Sequence, residues 1–218
     1  MVARCKARRV ALAHCSLLVL AALCAVPMPA MGAGKTLLVL GDSLSAEYGL
    51  ARGTGWVALL EQQLAKDKLA AKVVNASISG DTTSGGRARL PALLKQHQPT
   101  HVVIELGGND ALRGLPLPMT RDNLQAMARD AKAAGAKVMV VGMQVPPNYG
   151  ARYGQDFAAL FASVAQTEGA ALVPFLLAGV ADGPQAEQLF QPDRIHPKAE
   201  AHPRMLANVW GVMKAWLR

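Results

Sequence analysis

Residues 37–50 read LLVLGDSLSAEYGL: an apolar run that ends abruptly in a glycine, an aspartate and a serine. Four consecutive aliphatic residues bounded by a turn signal are the pattern of a strand buried on both faces. A serine just beyond such a strand has two readings. It terminates the strand and caps the next helix, because Ser and Asp side chains accept backbone N–H groups at such ends. Alternatively, Ser43 is a nucleophile, which requires a base, an orienting carboxylate and oxyanion donors elsewhere in the chain.

Outward from this stretch, similar short runs recur: KVVNAS near residue 72, HVVIEL near 101, KVMVVG near 137 and ALVPF near 171. Between them lie segments of helical period, such as Trp56, Leu59, Leu60 and Leu64, and then Leu124, Met127 and Ala131, with Gly135 as a helix stop. Strand and helix in alternation, about five times over, imply a parallel sheet with helices on both faces, an α/β fold of three layers. A closing helix is expected over the last residues, entered near Pro203.

In open sheets of this kind, ligands sit beyond the carboxyl ends of the strands. The segments expected there are GDS (41–43), SISGD (77–81), GGND (107–110) and GMQVPPNYG (142–150). Any one of them, taken alone, is an ordinary turn. Four at one edge are a candidate site.

The chain has 218 residues and a formal charge of +8. Residues 1–32 carry a basic start, an apolar stretch from about Val10 to Val26 and a small-residue end at Ala30-Met31-Gly32. This is the pattern of a secretory signal peptide, and residues 33–218 are expected to form one domain exported to the periplasm. A retained anchor is the competing reading of the same stretch, disfavoured by His14 and the Ala-Met-Gly end; a lipoprotein signal at Cys24 is a further alternative, disfavoured by Leu23, which is bulkier than the small residue usual at that place. Four of the 23 bases precede residue 10, leaving 19 against 15 acids, a charge of +4. The remaining bases form no run and the chain has only ten aromatic residues, so nothing here is built to bind nucleic acid. Cys5, Cys15 and Cys24 all fall in the first segment, which leaves the domain without disulfide, thiolate metal site or cysteine nucleophile. GAGKT at 32–36 imitates the end of a phosphate-binding loop, but Pro29 stands where that loop needs glycine, and a strand rather than a helix comes next.

The domain has four histidines. His97 and His101 flank the start of the third strand, at the edge opposite Ser43. His202 is expected at the mouth or outer face of the last helix. His196, in QPDRIHPKAE, follows Asp193 by three residues, so that in a tight turn Asp193 can accept one imidazole N–H and aim the other nitrogen at Ser43. The Ser43 and Gly80 N–H groups and the Asn109 side-chain amide are the available oxyanion donors. Asp42, Asp110, Asp193 and His196 as metal ligands form the rival arrangement, though their spacing matches no zinc motif.

GDSLS, SISGDT, GGND and DRIHP, in this order from Gly41 to His196, resemble the SGNH or GDSL hydrolases, serine esterases with a flavodoxin-like three-layer fold. The longer stretches LGDSLSAEYGL, VNASISGDTTSGG, IELGGNDALRGLP and QVPPNYGARYGQDF are similar to the bacterial periplasmic thioesterase I branch, also described as arylesterase and lysophospholipase. The resemblance implies Ser43 as nucleophile, His196 as base, Asp193 as its orienter, and Ser43, Gly80 and Asn109 as the oxyanion hole. It implies a small acyl ester, thioester or lysophospholipid as substrate, with no cofactor and no metal. A carbohydrate acetylesterase of the same superfamily and a non-catalytic binding module are the alternatives. Substrate contacts are expected from Asp42 and Leu44 beside the nucleophile, from Leu112, and from Met143, Val145, Pro146 and Tyr149. A monomer is expected. Arg194 departs from the family pattern, which usually has glycine between the Asp and the Ile.

Overall fold

The structure, a computed structural model, describes residues 34–218. The signal segment expected over residues 1–32 lies outside the described residues. Five strands form one parallel sheet: β1 (Lys35–Gly41), β2 (Ala71–Asn75), β3 (His101–Glu105), β4 (Lys137–Val141) and β5 (Ala171–Val173). Their spatial order is β2-β1-β3-β4-β5, with the reversal of direction between β1 and β3. Such a switch point opens a crevice between the two strands that leave it.

The pleat sends alternate residues of β1 into two separate cores. Leu38 and Leu40 pack with Ile104, Val140, Leu124, Met127 and Phe161, under the helices α2 (Thr83–His97), α4 (Leu117–Ala133) and α5 (Ala151–Glu168). Leu37 and Val39 pack with Trp56, Leu60, Val209 and Met213, under α1 (Trp56–Lys66) and α7 (His202–Trp216). Burial of each such large side chain contributes about 1.5–3 kcal/mol, which is why the strands read as unbroken apolar runs rather than alternating ones. Two short helices complete the fold, α3 (Gly108–Leu112) and α6 (Ala186–Leu189).

The expected helix stop at Gly135 is present. Helix α4 ends at Ala133, and Gly135 takes a positive φ of 87° while its N–H donates to the Lys132 carbonyl at 2.9 Å. His202 departs from expectation. Instead of lying on the outer face of the last helix, it is buried, and its Nδ1 accepts the Trp56 N–H at 3.0 Å. The residue before α1 is Gly55, which has no side chain to cap the helix. A histidine 146 positions away does so instead.

Candidate active site

The turn after β1 carries Ser43, and its Oγ donates a 2.8 Å hydrogen bond to His196 Nε2. His196 Nδ1 donates to Asp193 Oδ2 at 2.6 Å. Asp193 does two jobs with its two oxygens: Oδ1 accepts the backbone N–H groups of Ile195 and His196 at 2.9 and 3.0 Å, which folds the turn, while Oδ2 holds the ring. Burial alone would raise the Asp193 pKa, but these hydrogen bonds and the imidazole hold it down at about 2. The loop is closed at its base by the Phe190–Pro197 bridge and by the Gln191 N–H on the His196 carbonyl at 2.8 Å. Gln191 Nε2 also reaches across to the Tyr48 carbonyl at 3.0 Å, tying the loop to the segment after Ser43. The Tyr48 ring lies against the imidazole, centroids 4.3 Å apart.

The loop after β2 runs beside the same turn, since Ile78 N–H donates to the Gly41 carbonyl at 3.0 Å. It brings Gly80, at φ 79°, to the site; an L-residue is disfavoured in that conformation. From the start of α3, Asn109 Nδ2 donates to Asp42 Oδ2 at 3.1 Å, next to the nucleophile. Asp110, the following residue, is buried and anchors this loop by accepting from Thr83 N–H at 2.8 Å, from the Thr83 hydroxyl, and from Thr120 Oγ1 at 3.2 Å. The Ser43 and Gly80 N–H groups donate to no protein acceptor among the described residues. The Ser–His–Asp chain, the Asn109 amide on Asp42 and the Gly80 loop beside the Gly41 turn thus all lie on segments that follow the strands at the switch point. The arrangement can deprotonate a serine and stabilise an oxyanion.

Beneath it lies a buried carboxyl pair. Glu105 stands opposite Gly41 in the β1–β3 register, and its Oε2 takes the Asp42 N–H at 3.3 Å and the Ser45 hydroxyl at 2.6 Å. Trp56 Nε1 donates in turn to Ser45 Oγ at 3.1 Å. A Cβ on Gly41 would meet Glu105 Oε2 at 2.6 Å, so the glycine of the GDS turn makes room for this carboxyl. Burial pushes Glu105 well above the usual carboxylate range, and the neighbouring Asp42 adds to it; burial also pushes Asp42 up to about 6, against the Leu44 N–H, His196 and the Asn109 amide, which pull it down. A raised carboxyl binds more protons folded than unfolded. Its contribution to stability is therefore complete below pH about 4.5 and is lost as pH rises toward the folded value. Glu105→Gln is expected to gain stability relative to the parent as pH rises above the ordinary carboxylate range, by no more than about 1.4 kcal/mol per pH unit. Urea unfolding of both proteins over that rise in pH measures the difference; parallel curves would mean that Glu105 is ionised in the fold.

Several expected substrate contacts lie elsewhere. Asp42 and Met143 are buried, the first within the hydrogen-bond network and the second in the core below α5, so neither offers open surface. Leu44 is half-buried against the α1–α7 core. Leu112 and Pro146 are exposed, and Val145 and Tyr149 half-buried, on the loops after β3 and β4. Tyr48, Ile78 and Ile195 were not expected at the site, yet they are exposed on its loops. Among the described residues, no three His, Cys, Asp or Glu side chains are grouped to hold a metal ion; the Asp110 carboxylate is taken up by Thr83 and Thr120.

Residues 39–204 match the model of the GDSL-like lipase/acylhydrolase family. The chain belongs to that family. This acylhydrolase is 50% identical over 202 residues to esterase TesA of Pseudomonas aeruginosa, covering 93% of this chain and 99% of the relative. It is 47% identical over 173 residues to thioesterase 1/protease 1/lysophospholipase L1 of Escherichia coli K12, covering 78% of this chain and 79% of the relative. A crystal structure of TesA superposes with a TM-score of 0.81 at 52% identity, over 84% of this acylhydrolase and the whole of that chain. The fold is thus that of the SGNH esterases, with the three layers expected from the strand pattern.

Proposed function

We propose that the chain hydrolyses acyl esters and thioesters through an acyl-enzyme on Ser43. The observation that carries this is the continuous hydrogen-bonded chain Ser43–His196–Asp193. His196 Nε2 takes the Ser43 proton as Oγ attacks the carbonyl carbon, and Asp193 stabilises the imidazolium that forms. The oxyanion is received by the N–H groups of Ser43 and Gly80 and by Asn109 Nδ2. His196 then protonates the leaving alcohol or thiol, and water deprotonated by the same nitrogen releases the acid. Leu112, Val145, Pro146 and Tyr149 form the apolar wall for the acyl chain. The enzyme acts as a monomer in the periplasm after removal of residues 1–32, which N-terminal sequencing of a periplasmic fraction would test.

Hydrolysis of p-nitrophenyl esters from acetate to palmitate tests the reading. Activity resistant to EDTA and greatest on medium or long chains is expected. Activity confined to acetate would point to carbohydrate deacetylation, and loss with EDTA would point to a metal.

Asp42 enters this reading as the group that orients Asn109. One amide hydrogen of Asn109 is committed to Asp42, the residue before the nucleophile, which holds the amide in place and leaves its other hydrogen for the oxyanion. Asn109→Ala is expected to lower kcat on the order of 10²- to 10³-fold. Asp42→Ala falls in the same direction, and the double variant is no worse than the poorer single one, because both break the same contact. Full additivity in that cycle would place the role of Asp42 elsewhere.

A further inference from the structure

Both nitrogens of the His196 imidazole are engaged in the plane of the ring, one with Ser43 Oγ at 2.8 Å and the other with Asp193 Oδ2 at 2.6 Å. What meets its face is Tyr48. The two ring centroids are 4.3 Å apart and the planes are inclined by 38°. That is well inside the distance, about 6 Å, at which an aromatic face attracts a cation. About half of Tyr48 stays in water, whereas the His196 side chain is only 16% exposed. Among the described residues, the hydrogen bonds of Tyr48 are those of its backbone: its N–H donates to the Ser43 carbonyl at 3.4 Å, and its carbonyl accepts from Gln191 Nε2 at 3.0 Å. The side chain is therefore committed to the imidazole and not to a polar partner.

The backbone is bent to present this ring. Glu47, just before Tyr48, takes a left-handed φ of 59°, a conformation costly for a residue with a Cβ. Its carboxylate holds the bend by accepting the Gly53 and Gly55 N–H groups at 2.9 and 2.8 Å. Just after Tyr48, a Cβ on Gly49 would collide with the Gln191 side-chain oxygen. That close approach lets the Gln191 amide donate to the Tyr48 carbonyl and to the Pro197 carbonyl, at 3.0 and 3.1 Å. One amide thus clamps the segment that carries the aromatic ring to the loop that carries the base. The ring and the imidazole are held together from both sides.

In acylation and in deacylation alike, His196 passes through the imidazolium. The carboxylates that face this charge are Asp193, on the same loop, and Asp42, in the turn after β1, which lies near enough for the imidazole to act on it. We propose that Tyr48 is a positioning residue for His196: its π face stabilises the imidazolium and keeps the ring aimed at Ser43. The inference rests on the esterase reading above for its effect on turnover, while the contact itself can be measured without substrate.

The test compares the purified protein with Tyr48→Phe, which keeps the aromatic face, and Tyr48→Leu, which keeps apolar cover and loses the π system. On p-nitrophenyl esters of two chain lengths, Tyr48→Leu is expected to lower kcat about two- to fivefold with little change in KM, and Tyr48→Phe to keep the kcat of the parent. The same proteins are titrated by NMR on the His196 Cε1–H resonance, assigned by its loss in His196→Gln. Without the π face the imidazolium gives up its proton more readily, so the midpoint in Tyr48→Leu moves to lower pH by about half a pH unit, while Tyr48→Phe stays with the parent. Asp193 and Asp42 are the same in all three proteins. A midpoint that does not move in Tyr48→Leu overturns the proposal. So does an equal loss of kcat in both variants, which would assign the effect to the hydroxyl, or a change confined to KM, which would make Tyr48 a substrate contact. If the parent shows no hydrolysis dependent on Ser43, the esterase reading fails, and the titration still decides whether Tyr48 stabilises the imidazolium.

Discussion

Ser43→Ala is expected to abolish ester hydrolysis and leave the fold almost unaltered. The Ser43 side chain makes its single hydrogen bond to His196, and the residue is only partly buried, so removing the hydroxyl opens no core cavity and strands no buried donor. Loss of the nucleophile in serine hydrolases costs on the order of 10⁶ in kcat, because no other group in the site can take the acyl group. The thermal midpoint should move by no more than a few degrees, as for a substitution at the surface. A steady-state assay on a medium-chain p-nitrophenyl ester, with a melting curve on the same preparation, measures both. Activity that survives in the variant would remove Ser43 from the chemistry, and a large drop in melting point would make its role structural.

The second large effect is expected at Asp193, where two functions can be separated by the choice of substitution. Asp193→Asn retains an oxygen for the Ile195 and His196 N–H groups, so the turn persists. Its amide, however, presents a donor to His196 Nδ1. The imidazole must then carry its proton on Nε2, the wrong nitrogen to accept from Ser43, and kcat is expected to fall on the order of 10⁴-fold with little change in KM. Asp193→Ala loses the turn as well, so it should show the same fall in kcat together with a lowered melting point. Equal activity in the Asn variant and the parent would mean that Asp193 only folds the loop.

Much of this site is legible in the sequence because its parts are local. A strand buried on both faces is an apolar run, its end is marked by glycine, and the residue types beyond it are those that catalysis by serine needs. The Asp193–His196 turn is likewise contained within four residues. What escapes the sequence depends on register and on distant packing. Glu105 ends an apolar strand and reads as its polar boundary; only the pairing of Gly41 with Glu105 shows that its carboxyl fills the space of a missing Cβ beneath the nucleophile. His202 caps a helix that begins at Trp56, a relation across 146 positions with no local signature. Ile78 and Ile195 look like core residues by type, and their exposure arises because the loops that carry them are aimed outward around the crevice. Met143 and Asp42 depart in the opposite sense, being close to the site in sequence yet turned into the core and into the hydrogen-bond network.

The central claim is that Ser43 is acylated and that His196 and Asp193 activate it. It is tested most directly by treating the protein with an alkyl phosphonate ester, whose tetrahedral adduct imitates the oxyanion intermediate, and mapping the modified residue by mass spectrometry while activity is followed. The structure predicts one adduct per chain, on Ser43, formed in step with the loss of activity and formed far more slowly in Asp193→Asn. An adduct on another residue, or activity lost while Ser43 remains unmodified, would contradict it.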